Sequence, residues 1–178
     1  MKKLFPFLFV AIFGLVMTSC DRTQYIDNTQ VTDYPAVYDL NVDFTYNSST
    51  GVATYYKAFV TDMYDSDFVM IYRKVGTDKG NVVWQPLPQT IYNIVVGTET
   101  NHELDYTYDF TKRDISIYAS GTFDLSLRQD FITGQTFRIV LVPAVFGGKS
   151  ANRSDISKMS YEEVIRKYNI DDSKVGTL

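Results

Sequence analysis

The sequence has a single cysteine, a single histidine, a single tryptophan and no basic run in 178 residues. With Cys20 alone, no disulfide can form within the chain, so stability has to come from apolar burial. With His102 alone, a site built from several imidazoles is excluded, and a serine–histidine hydrolase would rest on that one residue. His102 stands beside Glu103 in a segment that reads as a turn, where a solvated loop histidine is expected. The 17 basic and 21 acidic residues leave a formal charge of −4. Without a basic stripe the chain has no electrostatic footprint for nucleic acid and no polybasic patch for anionic lipid. The longest apolar run, Leu4 to Val16, is broken by Pro6 and Gly14. As a helix it crosses about 20 Å, short of the roughly 30 Å hydrocarbon layer.

That run follows Lys2 and Lys3 and precedes Met17-Thr18-Ser19-Cys20, the three-zone pattern of a secretory signal. Residues 1–19 are therefore expected to be an export signal. Thr18, Ser19 and Cys20 resemble the lipobox of bacterial lipoproteins; Met17 departs from it, standing where Leu or Val is commoner. The resemblance implies that the Cys20 thiol takes up lipid and that the chain is cut just before it. An exposed unmodified thiol outside the cell would be a liability. One acyl chain holds only marginally, at about 0.8 kcal/mol per buried CH₂, whereas two or three make release negligible. The expected location is the cell envelope, lipid-anchored to a bacterial membrane, with the outer favoured over the inner and the choice between them open. The leaflet stays open, because the sorting meaning of Asp21 differs between phyla.

Taking 19 residues from the 178 leaves 159, and taking Lys2 and Lys3 from the 17 basic residues leaves 15 against 21 acidic, a formal charge of −6. Residues 20–35 read as the lipidated cysteine and a polar tether. Fifteen flexible residues span roughly 20 Å on average and about 50 Å when stretched. Residues 36–178 read as one domain, large enough to bury about two-thirds of its unfolded surface.

From Val37 onward the apolar period is two. Tyr38, Leu40, Val42, Phe44 and Tyr46 alternate with polar residues, and Leu104, Tyr106, Tyr108 and Phe110 do the same. Further strands are expected over 52–61, 67–75, 82–85, 90–96, 115–119 and 136–142. Pro86 and Pro88 make the 82–85 strand short or place it at an edge. Residues 123–131 fit neither period. Ser160 and Glu163 have the spacing of a capping box, with Met159 and Val164 placed as a hydrophobic staple. Tyr161, Val164, Ile165 and Tyr168 share one face of a helix of about ten residues, which needs a sheet to dock on. About eight strands without intervening helices require antiparallel pairing. The expected fold is all-β, an antiparallel β-sandwich with a short C-terminal helix, with a closed barrel as the alternative.

Several segments resemble a family of small, uncharacterised lipoproteins of the Bacteroidota. They are Val75-Gly76, Val83 to Thr90 (VWQPLPQT), Leu104 to Thr111 (LDYTYDFT), Asp114 to Tyr118 (DISIY) and Thr136 to Ala144 (TFRIVLVPA). The resemblance extends from about Val37 to Leu178. Some members carry a collagen-like stretch behind the cysteine; this chain has none. The resemblance implies no activity and no catalytic residues.

No catalytic constellation is apparent. Asp105 and Asp109 share a strand face about 13 Å apart, too far for a carboxylate pair unless another strand supplies a partner. Gly148-Lys149-Ser150 lacks the first glycine of a phosphate loop, because Pro143 stands there. Asp171 to Gly176 has the glycine of a calcium loop without its ligand set, and reads as a solvated tail. Nothing calls for a metal or other cofactor. The suggestive group is aromatic: Trp84 with Tyr55, Tyr72, Tyr92 and Tyr118, either as a stacking surface for sugar or peptide or as core and cross-strand packing. Tyr118 makes the better ligand-stacking candidate, because Ile117 and Ala119 point the other way; Trp84 reads more naturally as core. The expectation is a non-catalytic envelope lipoprotein that binds or assembles with an envelope protein, with glycan binding as the alternative and a hydrolase less favoured.

Overall fold

A computed structural model describes residues 37–64, 67–142 and 157–178. Cys20, the tether and Gly148-Lys149-Ser150 lie outside these residues. Two five-stranded sheets stack face to face, so the chain is a β-sandwich and not a closed barrel. In chain order the strands are β1 (Val37–Val42), β2 (Thr45–Asn47), β3 (Val52–Ala58), β4 (Phe68–Asp78), β5 (Asn81–Pro86), β6 (Gln89–Val96), β7 (Glu99–Phe110), β8 (Asp114–Gly121), β9 (Gln135–Val142) and β10 (Gly176–Thr177). The first sheet runs β10-β1-β9-β4-β5 and the second β2-β3-β8-β7-β6. All pairings are antiparallel except β1 with β10.

The strand expected over Val37 to Tyr46 divides between the sheets. β1 pairs with β9 in the first sheet and β2 with β3 in the second. Phe44 N–H, in the crossing between them, donates to the Ile132 carbonyl at 2.8 Å. Alternation persists through the crossing, because Tyr38, Leu40, Val42 and Phe44 all face the space between the sheets. Period two therefore reports which face is dry without reporting that the strand changes sheet. This division and the two-residue β10 raise the expected eight strands to ten. The tail is thus not simply solvated: Gly176 and Thr177 extend the first sheet alongside Tyr38 and Asp39.

Two apolar layers result. Between the sheets lie Leu40, Ile71, Phe137 and Ile139 from the first and Ala53, Leu104, Tyr106, Ile115 and Ile117 from the second. Tyr108 links them, its hydroxyl donating to the Val69 carbonyl at 2.9 Å. The second layer covers the outer face of the first sheet, where Val37, Met70, Tyr72, Val140 and Val142 meet Tyr161, Val164 and Tyr168 of α1 (Tyr161–Tyr168). The expected capping box is present: Ser160 Oγ accepts from the Glu163 N–H, and the Glu163 carboxylate accepts from the Ser160 N–H. Asn169, in the left-handed region at φ 47°, ends the helix. The ambiguous 123–131 segment forms two 3₁₀ turns, Leu125–Leu127 and Gln129–Phe131, that carry the chain from the second sheet back to the first. At the β4–β5 hairpin, Lys79 and Gly80 both take positive φ, as a two-residue turn requires.

Candidate functional site

The two sheets differ in what covers their outer faces. Helix α1 covers an apolar patch of the first, while among the described residues no element lies over the second. Ala53, Leu104, Tyr106, Ile115, Ile117 and Ala119 are fully buried against the first sheet. Because side chains alternate along a strand, their neighbours must point outward. The register sets these neighbours in rows. Asn47, Val52, Ser120, Asp105 and Thr90 form one row; Thr45, Thr54, Tyr118 and Thr107 form the next; Tyr56, Ser116 and Asp109 form a third. None of these positions holds Lys or Arg.

Hydroxyls hold the carboxylates of this face. Tyr118 Oη donates to Asp109 Oδ2 at 2.9 Å and Thr90 Oγ1 to Asp105 Oδ1 at 2.5 Å. At the rim, Asp114 accepts from Thr111 Oγ1 at 2.8 Å and from Tyr56 Oη at 3.4 Å. An ionised carboxylate has about four acceptor sites, so each retains capacity for an incoming hydroxyl. The face is an acidic, hydroxyl-rich surface with two tyrosine rings on it. Asp105 and Asp109 stand opposite Ser120 and Ser116, so β8 sets no carboxylate directly across from either.

The aromatic residues expected to act together are dispersed. Tyr118 lies on the open face of the second sheet. Trp84 and Tyr72 belong to the opposite side of the molecule, at the seam between the first sheet and α1. Tyr55 faces inward, level with Ile117, because the buried Ala53 fixes the phase of β3; Tyr56 is the outward residue, 60 % exposed. That phase was available in the sequence once Ala53 was recognised as a core residue, which its size does not advertise. Tyr92 is exposed on β6, within a stretch where the register with β7 shifts.

The placement of Trp84 at the seam joins it to a clasp. The Arg138 guanidinium lies 4.4 Å from the centre of the Trp84 ring and 5.0 Å from that of Tyr161. It also donates to both Asp39 carboxylate oxygens at 2.7 and 2.8 Å. The hydrogen bond to Asp39 raises the Arg138 pKa. Tyr161 donates in turn to Asp172 at 2.8 Å, joining helix and tail. Burial raises the Tyr161 and Tyr72 pKa values, so both hydroxyls stay neutral. These contacts place Trp84, partly buried, at the seam between the sheet and the helix rather than on the face that carries Tyr118.

His102 is not in a solvated turn. The hairpin tightens on Gly97, at φ 62°, so Glu99 to Asn101 are already strand and His102 lies in β7 with its side chain 16 % exposed. Its ring packs against Phe123, and Nδ1 lies 3.3 Å from Thr122 Oγ1. Nε2 is 3.3 Å from Glu99, without hydrogen-bond geometry. Among the described residues, no three His, Cys, Asp or Glu side chains gather into a metal-binding group. No family model, curated protein or solved structure matches the chain.

Proposed function

We propose that this protein is a lipid-anchored lipoprotein of the bacterial cell envelope, tethered at Cys20, whose sandwich is a non-catalytic binding module. The ligand surface is the outer face of the second sheet, and its ligand is a neutral glycan. The observation that carries this reading is the asymmetry of the sandwich: α1 packs on an apolar patch of one sheet, while the other presents Tyr56 and Tyr118 among hydroxyls and carboxylates. Sugar hydroxyls donate to Asp105 and Asp109, and the apolar face of a pyranose packs on tyrosine. An acidic face without cations repels uronic acids, which selects neutral sugars. The signal-like residues 1–19 and the lipobox resemblance support the anchor, and the Bacteroidota resemblance agrees with both.

Glycan arrays followed by calorimetry test the ligand. Tyr118→Ala should weaken binding by roughly tenfold or more, about 1.4 kcal/mol, while Val82→Ala, exposed on β5 of the first sheet, leaves it unchanged. No glycan bound by the wild-type protein sinks the reading; a reproducible partner in pull-downs from detergent-solubilised envelope would favour assembly with another protein instead. For the anchor, Cys20→Ala should yield an uncleaved chain with no acyl mass. A bare thiol on the native protein would overturn it.

A further inference from the structure

The described arginines are unequally compensated. Arg113, Arg128 and Arg138 each have an aspartate within 3.2 Å. Arg73, which burial shifts toward a lower pKa, has no carboxylate within ion-pair distance among the described residues. It projects from β4 into the space between the sheets, level with Phe137, with its guanidinium 4.9 Å from the centre of the Tyr106 ring. Its hydrogen-bond partners are neutral. Nε donates to Gln89 Oε1 at 2.8 Å and Nη1 to Gln135 Oε1 at 3.1 Å. Both glutamines are themselves fixed: Gln89 donates to Gln85, and Gln135 to the Asp130 carbonyl at 2.8 Å.

A guanidinium carries five N–H donors, of which these two bonds occupy two. Nη2 makes no hydrogen bond among the described residues. Desolvating a cation is costly unless an anion or a full set of acceptors compensates it. Here an acidic protein leaves its partly buried Arg73 with an unused donor edge, although acidic residues outnumber basic ones, 21 to 17. The site is reachable: Gln85 is exposed, and Arg73, Gln89 and Gln135 are each partly exposed.

We propose that Arg73, Gln89 and Gln135 form an anion site at this end of the sandwich, which takes a carboxylate. The guanidinium edge matches a carboxylate bidentately. A single compensating negative charge fits a single cation, whereas a phosphate dianion would add net negative charge close to Asp130, whose field already reaches Tyr106. The carboxylate belongs either to an acidic sugar or to a peptide C-terminus. The site lies between the sheets rather than on the outer face of the second sheet, so it stands or falls independently of the glycan platform.

The test is NMR titration of the intact protein with acetate, glucuronate and N-acetylalanine at constant ionic strength, following the glutamine side-chain amides. Saturable shifts at Gln89 and Gln135, with half-saturation on the order of millimolar, are expected for at least one probe. Stronger response to glucuronate assigns an acidic sugar; stronger response to N-acetylalanine assigns a peptide terminus. Arg73→Lys should weaken binding at least tenfold, because lysine lacks the planar fork. Inorganic phosphate binding better than every carboxylate would overturn the ligand class. No saturable shift up to concentrations on the order of 0.1 M, or shifts unchanged in Arg73→Lys, would overturn the site. Arg73→Gln, which removes the charge and the planar fork and leaves both reporter glutamines in place, supplies a second variant with the same expected direction should Arg73→Lys fold poorly.

Discussion

Val164 is fully buried where α1 meets the first sheet, and Val164→Ala tests whether the helix is an integral cover or an accessory. The substitution removes two methyl-sized groups, about 1.6 kcal/mol at about 0.8 kcal/mol each. Incomplete collapse of the space left behind adds to this. Alanine regains roughly 0.5 kcal/mol as the better helix former. The net loss is about 2 kcal/mol, or a fall of about 4–8 °C in Tm for a domain of this size. Urea unfolding measures it with two probes, far-ultraviolet circular dichroism for the sheets and fluorescence for the seam. The fluorescence is specific because Trp84 is the sole tryptophan and its ring centre lies 6.3 Å from that of Tyr161. Arg166→Ala, on the exposed side of the same helix, is the control and should stay within about 0.5 kcal/mol. Equal stability of the two variants would refute the packing argument. A wild-type Trp84 transition that precedes the circular dichroism transition would refute integration of the helix into the cooperative unit.

Two further outcomes follow from burial and face. Burial pushes the Tyr106 and Tyr108 hydroxyls up to about 12 from the ordinary 10.0. Between those values the unfolded chain has released protons that the folded one retains, so stability is intact below pH 10 and falls as pH rises toward 12. Tyr108→Phe should make that alkaline loss shallower, although it lowers stability at neutral pH by removing the bond to Val69. A slope unchanged in Tyr108→Phe, with unfolding followed by tyrosinate absorbance, would contradict it. The two outer faces should also respond oppositely to charge: Met70→Lys, beneath α1, should cost several kcal/mol, whereas Thr107→Lys, on the open face, should stay within about 0.5 kcal/mol. Similar denaturation midpoints would contradict the assignment of covered and open faces.

The fold was legible where one physical signal dominated. The alternation of Leu104 to Phe110, the edge position implied by Pro86 and Pro88, and the Ser160–Glu163 cap all depend on local chemistry, and all three are present. What escaped depends on relations between distant segments. Nothing local at Asp43 and Phe44 says that β1 and β2 join different sheets, since the same residues face the same interior either way. The tail has no strand periodicity over two residues, and only its parallel pairing with β1 gives Gly176 and Thr177 their place. Of the candidate sites, the outward side of Tyr118 was legible from its neighbours Ile117 and Ala119, whereas the Arg73 cradle was illegible for the same reason as the strand crossing. The Arg73 cradle draws on β4, β6 and β9, and its glutamines look like ordinary surface residues in the sequence.

One global feature was nevertheless written in the chain. In β4, Val69 to Tyr72 are buried without interruption, and in β9, Ile139 to Val142 are as well. Strands apolar on both sides must be covered on both sides. β7 and β8 alternate instead, with Asp105, Thr107 and Asp109 or Ser116, Tyr118 and Ser120 between buried or partly buried neighbours. Two uninterrupted apolar strands and two alternating ones therefore specify which sheet needs a second cover. Among the described residues the one amphipathic helix, α1, supplies that cover, and nothing among them lies over the polar rows around Tyr118. The open face thus follows from the same burial pattern that builds the core: rows of mainly polar side chains, with tyrosine rings among them, leave little apolar surface for a helix to cover.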